Sequence, residues 1–173
     1  MKPIATTRMA TGVPTGRLAV WWLIVSEVVL FGGLLSAYVM HRLGHPEWAD
    51  MAAHTKPLLG GLNTMVLLTS SLAAVLAPHA AENGDGKKAA RLLGYTILGG
   101  FMFLIIKSFE WTAEIQAGYT ITAGGFWSFY YTAAGIHASH VIAGMIAMAF
   151  VAKDAAKGLE LQRVEYVGLY WHF

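Results

Sequence analysis

No cysteine occurs anywhere in the 173 residues, which excludes disulfides and every metal or redox site built on thiolate. Charge is nearly as scarce. Asp, Glu, Lys and Arg together make up 13% of the chain, where a soluble domain carries about 25%. The net charge of +2 is too small for a nucleic-acid partner, and the basic residues sit mainly between apolar runs. No long repeat or low-complexity tract is present. The first apolar run is also not a cleavable leader: it is too long, holds a carboxylate, and no small-residue cleavage site follows it.

What fills the chain instead is apolar, at 56% of residues, and it is concentrated. Residues 18–40, 57–76, 92–115 and 124–151 each reach the ~20 residues needed to cross a hydrocarbon core. A further helical pattern starts at 163 and stops at 173, too short to span. The expected fold is therefore all-α. It is a polytopic membrane bundle of four complete transmembrane helices plus the start of a fifth (residues 17–173), preceded by a flexible cytoplasmic arm over residues 1–16.

Nine Lys and Arg residues flank one side of these spans: Lys2, Arg8, Arg17, Lys87, Lys88, Arg91, Lys153, Lys157 and Arg163. Only Arg42 and Lys56 flank the other. The positive-inside bias puts the N-terminus in the cytoplasm. Trp21 and Trp22 near the inner end, and Trp127, Tyr130 and Tyr131 near the outer end, read as aromatic belts; Trp48, in the outer loop from 41 to 56, reads as interfacial. Gly32 with Ser36, Gly60 with Gly61, Gly94 with Gly99 and Gly100, and Gly135 with Ser139 are small residues at helix-packing spacings.

Against this background the ionisable residues at bilayer depth stand out, because each costs ~2.5–3.5 kcal/mol to insert. Glu27 lies in the middle of the first run, and His137 and His140 lie at the middle of the fourth. The three share one depth and can pair. Glu27 reads as a protonated, hydrogen-bonded acid, as a proton-handling or lipid-contacting group, or as one arm of a metal site. His137 and His140, three apart on one helical face, read as structural imidazoles or, with Glu27, as an iron or zinc set. Lys107, Glu110 and Glu114 share one face near the outer end of the third run, where Lys107 and Glu110 at i,i+3 can pair. Asn63 and the 69–71 hydroxyl group read as polar contacts between helices.

Five segments occur together in an order that carries further information: SEVVLFGG at 26–33, LNTMVLLTSS at 62–71, KSFEW at 107–111, GFWSFYYTAAGIHASHVIAG at 125–144 and VEYVGLYWHF at 164–173. In these the chain resembles subunit III of the haem-copper terminal oxidases, the cytochrome c oxidase family, in its short bacterial form. The resemblance covers most of residues 17–173.

It implies an accessory subunit with no catalytic residue and no metal of its own. Haem and copper are expected in a partner subunit I, phospholipid between the helices, and subunit II, other respiratory subunits and a respiratory supercomplex as further partners. The implied location is the bacterial plasma membrane, and the implied role is support of proton uptake and stability of the catalytic subunit. Glu27 falls at the family's intramembrane carboxylate, and Glu27 and Glu110 are the expected proton-related residues. His137, His140, Asn63, Lys107, Trp171 and His172 are expected as lipid-contacting or structural polar groups.

The chain departs from the family pattern where Lys107 and Trp111 replace the Gln and Tyr of many members. The resemblance also implies that the last helix continues beyond Phe173. Three alternatives are an accessory subunit of a quinol oxidase or nitric oxide reductase, an autonomous proton or ion transporter using Glu27, Lys107 and Glu110, and a metalloenzyme built on Glu27, His137 and His140. The transporter lacks support from a centrally broken span or a repeat.

Overall fold

The computed structural model describes residues 15–173. Lys2, Arg8 and most of the expected N-terminal arm lie outside the described residues; Thr15 and Gly16 already belong to the first helix. Six helices follow in order: α1 (Thr15–Gly44), α2 (Trp48–Ala53), α3 (Pro57–Glu82), α4 (Gly86–Gln116), α5 (Gly125–Ala156) and α6 (Gln162–His172). Among the described residues α1, α3, α4 and α5 are long and apolar enough to cross a membrane, so this is a polytopic helical membrane bundle.

Each long helix outruns its apolar stretch. Hydrophobicity marks only the part in hydrocarbon, while the helix continues into the headgroup zone until local chemistry stops it. At the turn between α3 and α4 the Asp85 side chain caps α4 by accepting from the Lys88 backbone N–H at 2.9 Å. The preceding Gly84 adopts φ +77°, a left-handed conformation suited to glycine just past a helix end. Pro57 opens α3, where a missing N–H costs nothing.

Pro78 lies inside α3, beyond the apolar run that ends at Leu76. It removes the amide that would bond the Ala74 carbonyl. Gly168 of α6 packs against that carbonyl, and a Cβ at Gly168 would lie 3.0 Å from it.

The bundle core lies between α3, α4, α5 and α6. Ala77, Ala81, Ala89, Leu93, Val141, Met145, Met148 and Val164 form one contiguous buried cluster. Small residues set the spacing at its centre: a Cβ on Gly100 would lie 2.6 Å from Met145 Sδ and 2.8 Å from the Trp171 ring. Helix α1 is peripheral. It meets α6 and, more lightly, α5, and of its 30 residues only Ile24 and Glu27 are buried. Near the start of α1, Arg17 pairs with Glu165 of α6.

The outer loop folds more than its sequence announces. It holds α2, whose Trp48 is buried against protein, packed on Phe126 of α5 and on Tyr38 of α1. His41 and His45 stack on the Trp48 ring at 12° and 11°. Beside them Glu47 is held below the usual carboxylate range by its own backbone N–H and by His45, whose Nδ1 lies 2.7 Å away.

Candidate functional site

Glu27 is the exception on α1. The helix presents apolar side chains almost all round, with Trp22 68% exposed and Val29 71%, yet its single mid-span carboxylate is 8% exposed and turned inward. There Glu27 Oε1 lies 3.1 Å from Nε2 of His140 on α5. Nδ1 of the same ring lies 2.8 Å from the Ile136 carbonyl. A carbonyl only accepts, so Nδ1 carries hydrogen and donates to it, leaving Nε2 to face Glu27. One further proton is then shared: it sits on Glu27 and is donated to Nε2, or on Nε2 as an imidazolium facing a carboxylate. Phe31 meets the His140 ring edge-on at 5.7 Å.

This pair lines a cleft of about 480 Å³ between α1, α3, α5 and the end of α6. Its walls are mostly apolar, with Leu67, Leu68 and Val141 beside the polar Thr64, Ser71 and His137. His137 does not join the Glu27–His140 pair; its ring stands perpendicular to Phe103 at 5.4 Å.

The α6 end is fixed by side-chain bonds to α3, Trp171 Nε1 donating to Ser70 Oγ at 3.2 Å and His172 Nδ1 lying 2.6 Å from Ser71 Oγ. The Tyr170 hydroxyl reaches the His140 carbonyl at 3.4 Å. Asn63, also buried, donates to the Phe103 carbonyl at 3.5 Å and so ties α3 to α4. Among the described residues no three His, Asp or Glu side chains converge as a metal cage.

A second polar cluster lies toward the other end of the bundle from the amino terminus, the outer side on the charge bias. Lys107 and Glu110 pair at 3.1 Å, as their i,i+3 spacing predicts. The sequence did not announce the third partner. Tyr130, read as an outward belt residue, turns its hydroxyl into the bundle, where it lies 2.8 Å from Lys107 Nζ, 2.7 Å from Glu110 Oε1 and 3.3 Å from Glu114 Oε1. Glu110 is 3% exposed and Glu114 2%. Trp127, another expected belt residue, is buried beside it, stacked on Tyr119 at 4.6 Å.

Comparison with known proteins agrees with this architecture. The family model for cytochrome c oxidase subunit III matches residues 5–173. The chain is similar to cytochrome c oxidase subunit 3 of Bacillus sp. strain PS3, at 33% identity over 99% of this chain and 85% of the relative. It is 35% identical to the Bacillus subtilis subunit 3 over 90% of this chain and 78% of that one. A haem-copper oxidase subunit I+III of Aeropyrum pernix is 30% identical over 90% of this chain, which covers 20% of that longer protein. The chain belongs to the cytochrome c oxidase subunit III family.

Proposed function

We propose that this chain, a subunit III of a haem-copper oxidase, works beside the redox-active subunit rather than on oxygen itself, and that its buried Glu27–His140 pair handles protons for that partner. Haem and copper belong to subunit I in this reading, and subunit I is the direct neighbour. The Aeropyrum relative, a subunit I+III in a single chain, supports that pairing. Subunit II, further respiratory subunits and a bacterial plasma membrane complete the proposed setting.

The observation that carries the proton role is geometric. A peripheral helix buries one carboxylate, and that carboxylate meets an imidazole whose other nitrogen is already committed. Such a pair holds one movable proton at mid-membrane depth. The cleft around it is mainly apolar with a polar end, which suits a phospholipid chain, so lipid is the proposed occupant; His137, Trp171, His172 and Asn63 then shape or brace its walls. Glu110 is the second proposed proton-related group, with Lys107 as its counter-ion.

The test is Glu27→Gln in the assembled oxidase. Gln keeps the shape and hydrogen-bonding capacity of a neutral acid, so the complex is expected to assemble with an unchanged haem spectrum. The carboxamide donates a hydrogen bond to Nε2 but cannot exchange a proton with it, so the pair loses its movable proton, and the altered hydrogen bond is on the order of 1.5–3 kcal/mol. Slower proton uptake and earlier inactivation during turnover are the expected readouts. Wild-type uptake and lifetime in a fully assembled variant would remove the proton role.

A further inference from the structure

The cluster around Tyr130 is one proton donor short and one cation short. A tyrosine hydroxyl has one hydrogen to donate and two lone pairs to accept with. Lys107 Nζ, which only donates, takes one lone pair at 2.8 Å. The single O–H is directed at its shortest acceptor, Glu110 Oε1 at 2.7 Å. The contact to Glu114 Oε1 at 3.3 Å is then a hydrogen bond only if Glu114 carries the hydrogen. The charges lead to the same place: two carboxylates, 3% and 2% exposed, face one ammonium. Two carboxylates sharing a buried site do not both ionise.

Neither count uses the other. Each carboxyl also keeps a buried Oε2 that meets no protein hydrogen-bond partner among the described residues, so no protein donor there compensates a second negative charge.

The other ionisable groups facing the cluster do not supply the missing charge. Tyr131, from α5, is committed to the Tyr119 carbonyl at 2.7 Å. Lys56, just before α3, is exposed and makes no ion pair with Glu114 among the described residues. His137 lies against Phe103.

We propose that Glu110 and Glu114 hold a single proton between them and exchange it through the Tyr130 hydroxyl. In one state Glu114 is the neutral acid and donates to Tyr130, which donates to the Glu110 carboxylate beside Lys107. In the other, the Glu114 O–H has broken as a new O–H formed on Tyr130, and the original Tyr130 hydrogen has moved to Glu110. Atoms and charge balance, tyrosine is a neutral phenol at both ends, and nothing is oxidised. The site is a proton store near the outer surface, enclosed by Trp111, Trp127 and Tyr131. It deepens the proton-related reading of Glu110 and does not involve the Glu27–His140 pair.

Infrared spectroscopy of the resting, assembled oxidase tests it, since a neutral carboxylic acid has a carbonyl band separate from carboxylates. Assembly of each variant is checked by its haem spectrum. Either Glu110→Gln or Glu114→Gln is expected to abolish one such band, because one remaining carboxylate is balanced by Lys107. Tyr130→Phe is expected to keep the band and shift it, as the acid loses its acceptor. Lys107→Met is expected to add a second neutral-acid band.

Loss of the band in Glu114→Gln alone would mean a proton fixed on that residue and would overturn the sharing. No band change in any variant, or a sodium or potassium ion bound stoichiometrically and released by Glu114→Gln, would overturn the proton itself. The readout needs no turnover, so it fails independently of the Glu27 experiment.

Discussion

Gly99→Leu is expected to be the most disruptive single substitution in the bundle core, reducing stability by at least the 1–3 kcal/mol typical of overpacking. A Cβ at Gly99 would overlap the Ser70 side chain where α4 packs on α3. Ser70 cannot simply yield. Its Oγ accepts from Trp171 Nε1 at 3.2 Å, and its carbonyl lies 3.3 Å from Thr96 Oγ1. Moving α3 aside therefore breaks contacts to both α4 and α6 and opens the wall of the Glu27 cleft.

Gly94→Leu is the control, on the same helix, where a Cβ meets nothing within 4 Å. It is expected to change stability by no more than about 0.5 kcal/mol, the range of substitutions away from packed sites. Unfolding titrations in mixed micelles compare the two. Equal effects would show that α3 and α4 do not pack through Gly99.

Lys107→Met is expected to destabilise the protein by about 3–5 kcal/mol, because it strips a buried carboxylate of the one cation paired with it among the described residues. Neutralising that carboxylate with a proton drawn from neutral water costs a similar amount. Lys107 does more than balance charge: its ammonium lies 4.7 Å from the Tyr130 ring centroid as well as bonding the hydroxyl, so it sets that ring's position. Adding Glu110→Gln to Lys107→Met should restore most of the loss, since the uncompensated charge is then gone. A double variant as unstable as Lys107→Met alone would show that the lysine contributes through packing of its stem rather than through charge.

The membrane class, the four spans and the Lys107–Glu110 pair follow from the sequence alone. Each depends on one dimension only: the thickness of hydrocarbon fixes the length of an apolar run, and helical periodicity fixes which near neighbours share a face. Resemblance in the GIHASHVIAG and SEVVLFGG segments added the family, and the family model over residues 5–173 agrees.

Tertiary structure alone decided the rest, because lateral pairing depends on how each helix is rotated and how closely it is approached, and an apolar run looks the same from every side. Glu27 and His140 are 113 positions apart, and depth made them candidates without saying whether they touch. His137, on the same face, instead meets Phe103. Tyr130 and Trp127 carry the composition of a lipid-facing belt, but the packing of α2 and α4 on α5 encloses them. Glycine spacing likewise marked Gly32, Gly60, Gly94, Gly99, Gly100 and Gly135 alike. Of these six, Gly99 and Gly100 alone lie where another helix comes within contact of a Cβ, whereas Gly144 and Gly168, which that spacing did not mark, also meet a neighbouring helix.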